Sequence, residues 1–519
     1  MTAFFSDSPK PAIHEQNSGI SNSTGILNQL HKKIVSHMKN FTKILLFLFT
    51  LSSLASLHGQ ALVSSTFVGS RTKDQINAQF GFNPYVLNGV NMYKITYTTP
   101  DVHGVPDTAS GLVIVPDNLS KIYPLLSFSH GTVGAKTDVP SNLQGGYELP
   151  MVISGTGFVV AAADYLGLGD SRGFHPYVHA DSEASASVDM LFAVREFAEQ
   201  NGIFLNDQLF LTGYSQGGHA ALATQRLLQE SYADEFTITA SSPMSGPYEI
   251  YGAQSGFALG DEEFFYPGFL PYVALGYQEA YGNVYGTLEE FFKPGFVPMI
   301  EDFHNGNINL TNLNIQLILK LNTDFGMVLP KLMLQDSIAD QIINNPNHPV
   351  SLLLAANNLT EGWVPQAPTR LPYCGMDDQV HFTNSTNAAD AFIANGAPDL
   401  EAVLINPDYD HGQCVVPATT FTILFFRQYQ MIDDVNASTT AEGLRLNVFP
   451  NPASDFLTIS GLEHAARLTL FDVTGKLEKV ENIGAGTQSV DVTDLPNGFY
   501  FAHIETAGQS WRQKIMIRH

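Results

Sequence analysis

The sequence predicts an α/β fold, a mostly parallel sheet carrying a helical insertion, followed by a small all-β sandwich. Three observations carry this expectation. Between residues 93 and 240, short apolar runs alternate with helix-patterned stretches, the signature of a parallel sheet covered on both faces. The alternation lapses over residues 248–365, which are rich in Phe, Tyr, Leu and Gly, and resumes at 370–375 and 402–405. Beyond residue 444 only short alternating segments remain, with Gly475 and Gly498 at turns and no helical period, as in a sandwich.

A chain of 519 residues is too long for one core, so two or three units are expected. A hydrophobic fraction of 44% is that of an ordinary globular protein. Lys+Arg 25 against Asp+Glu 50 leaves a formal charge of −25. Without a basic excess there is no electrostatic footprint for a nucleic-acid partner.

Residues 1–37 are polar and aperiodic, and are expected to be unstructured or an upstream misreading of the gene, with Met38 the true start. Lys39 and Lys43 precede the apolar run 44–49, which continues to Leu57 and ends among Ala55, Ser56 and Gly59. A basic start, an apolar core and small residues describe a secretory signal peptide over 38–60, cleaved after Gly59 or Gln60. The apolar run falls short of the ~20 residues a membrane span needs.

In chain order, residues 93–98 alternate as a half-buried strand, with 109–115 as an antiparallel partner across a Gly/Pro/Asp turn. The run 122–129 ends in His130-Gly131-Thr132, and 158–163 ends in Asp164. A helix follows over 182–200, with Val188, Leu191, Val194 and Phe197 on its apolar face. Then come a strand ending at Tyr214, a helix over 220–229 and a strand over 236–240. In the insertion, 315–334 and 338–343 read as helical, a cap over an acyl-binding pocket or, more plainly, extra helices on the sheet. The last helix is expected over 419–429.

The chemistry centres on Gly213-Tyr214-Ser215-Gln216-Gly217, a Gly-x-Ser-x-Gly turn between an apolar run and a helix. Such a turn is a nucleophile elbow: it projects the Ser215 hydroxyl and aims helix N-terminal amides at the same point. A serine nucleophile needs a base, and the base needs an orienting carboxylate. Strand-end loops supply Asp377 or its neighbour Asp378, and then His411. Asp377 is preferred, because Asp-x-x-Val with Val380 buried puts the first carboxylate at the base of the loop. The order Ser215, Asp377, His411 is that of α/β-hydrolases. The oxyanion would take one N–H from Gln216 and a second from Thr132 or, next in order, Gly131. Cys374 and Cys414 flank the acid and the base, and export favours a disulfide between them over two free thiols. His175 and His179 are four apart, but Pro176 opposes a helix presenting both, and no metal site is expected. His219 reads as structural.

His130-Gly131-Thr132, Asp164-Tyr165-Leu166-Gly167-Leu168-Gly169 with His175-Pro176-Tyr177, the serine turn, Tyr373-Cys374 before Asp377 and His411 before Cys414 together resemble secreted α/β-hydrolase lipases and esterases of the secretory-lipase type. The resemblance implies an α/β-hydrolase domain over 61–432 with a cap at 248–365, a Ser hydrolase of carboxylic esters or lipids acting through an acyl-enzyme, and no cofactor. A peptidase on the same fold and a non-catalytic surface-binding protein are the alternatives. After a linker at 433–443, Phe449-Pro450-Asn451-Pro452, Asp472-Val473-Thr474-Gly475-Lys476, Leu495-Pro496-Asn497-Gly498 and the basic end at Lys514 and Arg518 resemble the C-terminal sorting domain of the type IX secretion system. That implies a β-domain over 444–519, the secretion machinery as partner, and release outside the cell or at its outer membrane. A carbohydrate-binding module would need exposed aromatics, to which Trp511 could contribute.

Overall fold

The computed structural model describes residues 61–80, 84–435, 446–462, 464–472, 476–506 and 509–519. The expected leader, the segment before it and residues 436–443 of the expected linker lie outside the described residues.

The strands of the large sheet are β1 (Leu62–Arg71), β2 (Val90–Pro100), β3 (Pro106–Pro116), β4 (Lys121–Ser129), β5 (Val159–Ala163), β6 (Phe204–Tyr214), β7 (Ile238–Met244), β8 (Thr369–Cys374), β9 (Leu400–Asn406) and the short β10 (Asp433–Asp434). They run in the order β1-β2-β3-β5-β4-β6-β7-β8-β9, with β10 paired to the start of β4. From β5 through β9 every neighbouring pair is parallel, and β1, β2 and β3 add an antiparallel margin. Residues 433–435 are therefore tied to the sheet, Val435 N–H bonding Ser120 O at 2.8 Å.

Helices α1 (Lys73–Phe80), α2 (Glu148–Gly155), α3 (Ala180–Gln200) and α4 (Gln216–Ser231) precede the insertion. The insertion holds α5 (Phe269–Tyr281), α6 (Val297–His304), α7 (Leu310–Phe325), α8 (Asp336–Asn344) and α9 (Pro349–Ala356), and the chain returns to the sheet with α10 (Thr383–Ala394) and α11 (His411–Phe426).

Alternation along the strands sorts the core into two layers. Val113, Val159, Ala161, Leu209 and Leu211 pack with Val188, Leu191 and Val194 of α3 and Leu228 of α4 on one face. Leu112, Ile114, Val160 and Phe210 pack with Met151 and Ile153 of α2 and Ile423 and Phe426 of α11 on the other. Each such Val, Leu, Ile, Met or Phe side chain contributes roughly 1.5–3 kcal/mol on burial. The insertion has its own core, in which Tyr272, Leu275, Phe292, Ile300, Leu313 and Leu317 meet Tyr177 and Val178 of the loop ahead of α3.

Several element boundaries differ from expectation, and three have a clear physical cause. Phe236 is not in β7: its N–H bonds Tyr232 O and its ring meets Phe192 at 5.0 Å, so the strand starts at Ile238. Helix α7 ends at Phe325 because Gly326 turns left-handed at φ 73°, and the chain reaches Met333 through a separate short turn at Pro330. Helix α11 starts at His411, eight residues before the expected start, under a capping box from Asp410 and Gln413 and with Pro417 inside it.

After residue 445 the chain forms β11 (Asn447–Phe449), β12 (Phe456–Leu462), β13 (Ala466–Asp472), β14 (Leu477–Ile483), β15 (Gly486–Asp491), β16 (Gly498–Thr506) and β17 (Gln509–Ile517). They make a three-stranded sheet, β11-β12-β15, and a four-stranded one, β14-β13-β16-β17. Leu457, Ile459, Leu468, Leu470, Val490, Ile504 and Ile515 fill the space between them. Trp511 is buried in that core at 2% exposure, so it supplies no surface platform.

Candidate active site

Strand order reverses around β4: β5 lies on one side of it and β6 on the other. A crevice opens at the carboxyl ends of parallel strands at such a switch point. The loop after β4 begins at His130, and β6 runs into Ser215.

Ser215 has φ 63° and ψ −123°, a left-handed conformation for a residue with a Cβ. Holding it there costs on the order of 1–3 kcal/mol, and the surroundings enforce it. Ser215 N–H donates to Met244 O at 3.0 Å, and Ser215 O accepts from Gly218 at 2.8 Å. A Cβ on Gly213 would run into Gly217 O and Ser129 O, and one on Gly217 into Ser129 O and His130 O. The two glycines let strand, helix and the β4 loop close on one point. Gln216 opens α4, where amides have no intrahelical acceptor.

The β4 loop lies against the serine: a Cβ on Gly131 would stand 3.7 Å from that of Ser215 and 3.1 Å from Tyr214 O. Thr132 Oγ1 and the Tyr177 hydroxyl share a hydrogen bond of 2.8 Å. Tyr177 in turn stacks on Tyr272 of α5 with ring centroids 4.3 Å apart. Leu310 N–H bonds Gly134 O at 2.8 Å. The inserted helices thus pack directly on the expected oxyanion loop.

Asp377 and His411 are brought together. His411 Nδ1 lies 2.7 Å from Asp377 Oδ2, and the two residues are 6% and 5% exposed, Asp377 first. Asp377 Oδ1 accepts the amides of Gln379 at 3.0 Å and Val380 at 2.8 Å. With both oxygens accepting, the carboxylate is held in one orientation. Val380 is buried, as the Asp-x-x-Val spacing predicts. Asp378 bonds the backbone: its Oδ1 accepts His411 N–H and its Oδ2 the Tyr266 hydroxyl, both at 3.2 Å. The Tyr214 hydroxyl donates to His411 O at 2.6 Å, and the rings of the two residues are 4.9 Å apart. Burial, with Asp377 nearby, pushes the Tyr214 phenol well above its usual range, so it remains a donor.

Cys374 at the end of β8 and Cys414 in the first turn of α11 form a disulfide, with Cα atoms 6.0 Å apart. It joins the strand leading to Asp377 to the helix bearing His411.

His175 and His179 point to different partners. His175 Nδ1 donates to Leu166 O at 2.8 Å, and burial lowers its pKa to about 3. His179 caps α3 through Ser182, and burial lowers it to about 4. His219 sits 2.8 Å from Glu183 with both side chains fully buried. Glu183, Tyr266 and the side chain of Gln216 had not stood out in the sequence. A carboxylate at a core position of an amphipathic helix was the available signal for Glu183.

A family model for secretory lipases matches residues 141–413, and one for the secretion system C-terminal sorting domain matches residues 447–518. Among solved structures, the rice cell wall degrading esterase LipA from Xanthomonas oryzae is 30% identical with a TM-score of 0.63, over 72% of this chain and 98% of that one. A hydrolase from Legionella pneumophila is 24% identical with a TM-score of 0.65, over 74% and 100% of the two chains. Candida antarctica lipase A, 14% identical with a TM-score of 0.52 over 68% and 77%, shares the fold. No curated protein matches. No described helix is long and apolar enough to cross a membrane. The chain belongs to the secretory lipase family: it is a secreted carboxylic ester hydrolase whose C-terminal domain addresses it to the type IX secretion machinery.

Proposed function

We propose that Ser215 is the nucleophile, His411 the general base and Asp377 its orienting carboxylate, and that ester hydrolysis runs through an acyl-enzyme. The observation that carries this is the 2.7 Å bond from His411 Nδ1 to a carboxylate already held by two backbone amides. That bond sets the tautomer with the proton on Nδ1 and leaves Nε2 free to take the serine proton. Ser215 Oγ attacks the acyl carbonyl while its proton passes to His411 Nε2. The tetrahedral oxyanion is received by the Gln216 N–H and by an N–H of the β4 loop, Thr132 first. The C–O bond then breaks, His411 returns the proton to the alcohol, and water repeats the sequence on the acyl-enzyme. One oxyanion donor contributes about 3–4 kcal/mol of barrier reduction.

The domain limits proposed with this reading are a hydrolase unit from 61 to 435, extended past the expected 432 by the pairing of β10 with β4, a cap at 248–365 and a sorting domain over 444–519. Tyr177, bonded to Thr132 and packed on Phe269 and Tyr272, borders the oxyanion loop and would offer an apolar face to an acyl group there.

The test is hydrolysis of p-nitrophenyl esters from short to long acyl chains by the mature protein and by Ser215→Ala, with fluorophosphonate labelling followed by peptide mapping. Turnover confined to wild type, with label on Ser215, is expected. Full activity in Ser215→Ala, or label on another residue, would remove the assignment.

A further inference from the structure

Behind the nucleophile turn lies a fully buried polar chain that the reaction itself does not use. The Gln216 side chain is buried, and its Nε2 donates to Glu183 Oε1 at 2.8 Å and to His175 Nε2 at 2.7 Å. His175 can accept there because its own proton sits on Nδ1, bonded to Leu166 O. Glu183 Oε2 faces His219 Nδ1 at 2.8 Å, and His219 Nε2 donates to Asn357 O at 3.0 Å. Gln216, Glu183, His175 and His219 are each no more than 2% exposed.

Four groups in an apolar interior bear a desolvation cost that packing alone would not require. Their placement explains it. Gln216 supplies, on the reading above, the first oxyanion N–H, and its peptide follows a serine held at φ 63°. A helix N-terminus beside a strained residue can relax by rotating that peptide. Anchoring the side chain of the same residue to α3, through Glu183, and to the His175 loop removes this freedom. The anchor consumes both hydrogens of the Gln216 amide, and its oxygen has no partner among the described residues. The amide is therefore oriented by what accepts from it, not by what it accepts.

We propose that Glu183 is a positioning residue for the oxyanion hole, acting through the side chain of Gln216, with His175 as the second anchor and His219 holding the far oxygen of Glu183. This rests on Ser215 as nucleophile and on the Gln216 N–H as oxyanion donor. Preorganised donors aimed at developing charge act on the transition state and leave ground-state binding alone. Loosening the anchor should therefore lower kcat while sparing KM.

The experiment compares wild type with Gln216→Met, Glu183→Met and Glu183→Gln, measuring kcat and KM on a p-nitrophenyl ester per site titrated to completion with a fluorophosphonate. Titration counts only folded sites, so a merely destabilised variant keeps its kcat. Gln216→Met fills the same space without either bond, and it carries the test even if Glu183→Met fails to fold. Glu183→Gln can still accept from Gln216 with its side-chain oxygen, so it restores that bond of the anchor. We expect kcat to fall about tenfold in both Met variants, short of the loss for deleting a donor outright. KM should stay within about twofold, and affinity for a trifluoromethyl ketone, whose hemiketal oxyanion mimics the intermediate, should fall in step with kcat. Glu183→Gln should recover most of the loss. Unchanged kcat in Gln216→Met, or no recovery in Glu183→Gln over Glu183→Met, would overturn the proposal. A wild-type protein without ester turnover, or labelled away from Ser215, would instead remove the reading beneath it.

Discussion

Asp378 holds the backbone of His411 while its neighbour Asp377 holds the ring. One oxygen of Asp378 accepts the His411 N–H and the other accepts the hydroxyl of Tyr266, each at 3.2 Å. Tyr266 belongs to the inserted segment and stacks on Phe269 at the start of α5, with ring centroids 5.6 Å apart. A side chain of the cap is thus linked through one carboxylate to the first residue of α11.

The two aspartates should separate cleanly in kinetics. Asp377→Asn keeps only one oxygen: if that oxygen stays on the Gln379 and Val380 amides, its NH2 faces His411 Nδ1 and favours the wrong tautomer, so kcat should drop by about four orders of magnitude. Asp378→Asn keeps an acceptor for the His411 amide, and its kcat should stay within about tenfold of wild type. Steady-state kinetics on one ester decides this, and a reversed order of losses would make Asp378 the triad acid.

The disulfide should matter for both stability and rate. Cys374 and Cys414 are 40 residues apart in sequence. Closing a loop of that length contributes about 4 kcal/mol on the chain-entropy model. The same bond holds the ends of the two segments that carry Asp377 and His411. Cys374→Ala/Cys414→Ala should unfold at lower urea and lose activity at urea concentrations where wild type is still active. Coincident activity and unfolding midpoints in both proteins would show that the bridge stabilises without aligning the pair.

Most of what positions the site was legible in the residues, because it depends on local constraints. Gly213 and Gly217 flank Ser215 where two backbones pass, and no other residue type fits there. Val380, apolar three residues after Asp377, is buried and bonds that carboxylate through its amide, and it is Asp377 that meets the His411 ring. Other features depend on contacts distant in sequence, which composition and period do not carry. Glu183 and Gln216 are 33 residues apart, and Asp378 and Tyr266 are 112 apart. Strand β1 is mostly exposed, with Val63 at 56% and Phe67 at 55%, so no apolar alternation marked it. The first half of α11 was hidden by Pro417, although Asp410 and Gln413 already spelled its cap.

Acid should destabilise the hydrolase unit through its buried imidazoles. Burial lowers His175 from 6.5 to about 3 and His179 to about 4. Between 6.5 and those values the unfolded chain binds protons that the folded chain does not, so unfolding free energy rises with pH across the window. The stabilisation is complete above the unfolded value and is lost as pH falls toward the folded ones. In urea titrations from pH 7 down to 4, His175→Gln should show a shallower slope than wild type by up to about one proton. Identical slopes would mean that His175 charges in the folded protein.

Gly131 offers the most sensitive probe of the elbow. A methyl group there would stand 3.1 Å from Tyr214 O and 3.7 Å from the Ser215 Cβ. The first distance is closer than a relaxed carbon–oxygen contact, so Tyr214 O or the β4 loop must yield by a few tenths of an ångström. Tyr214 O belongs to the peptide that joins β6 to Ser215, and its movement carries Ser215 with it. Small displacements of a reacting group cost far more in rate than in stability. Gly131→Ala should therefore fold, with its urea midpoint close to wild type, and lose about tenfold or more in kcat. Gly217→Ala provides the contrast, since its methyl would be driven into the backbone of Ser129 and His130, and little folded protein is expected. If Gly131→Ala instead keeps full kcat, the loop yields without moving the serine, and the donor proposed in that loop must tolerate the shift.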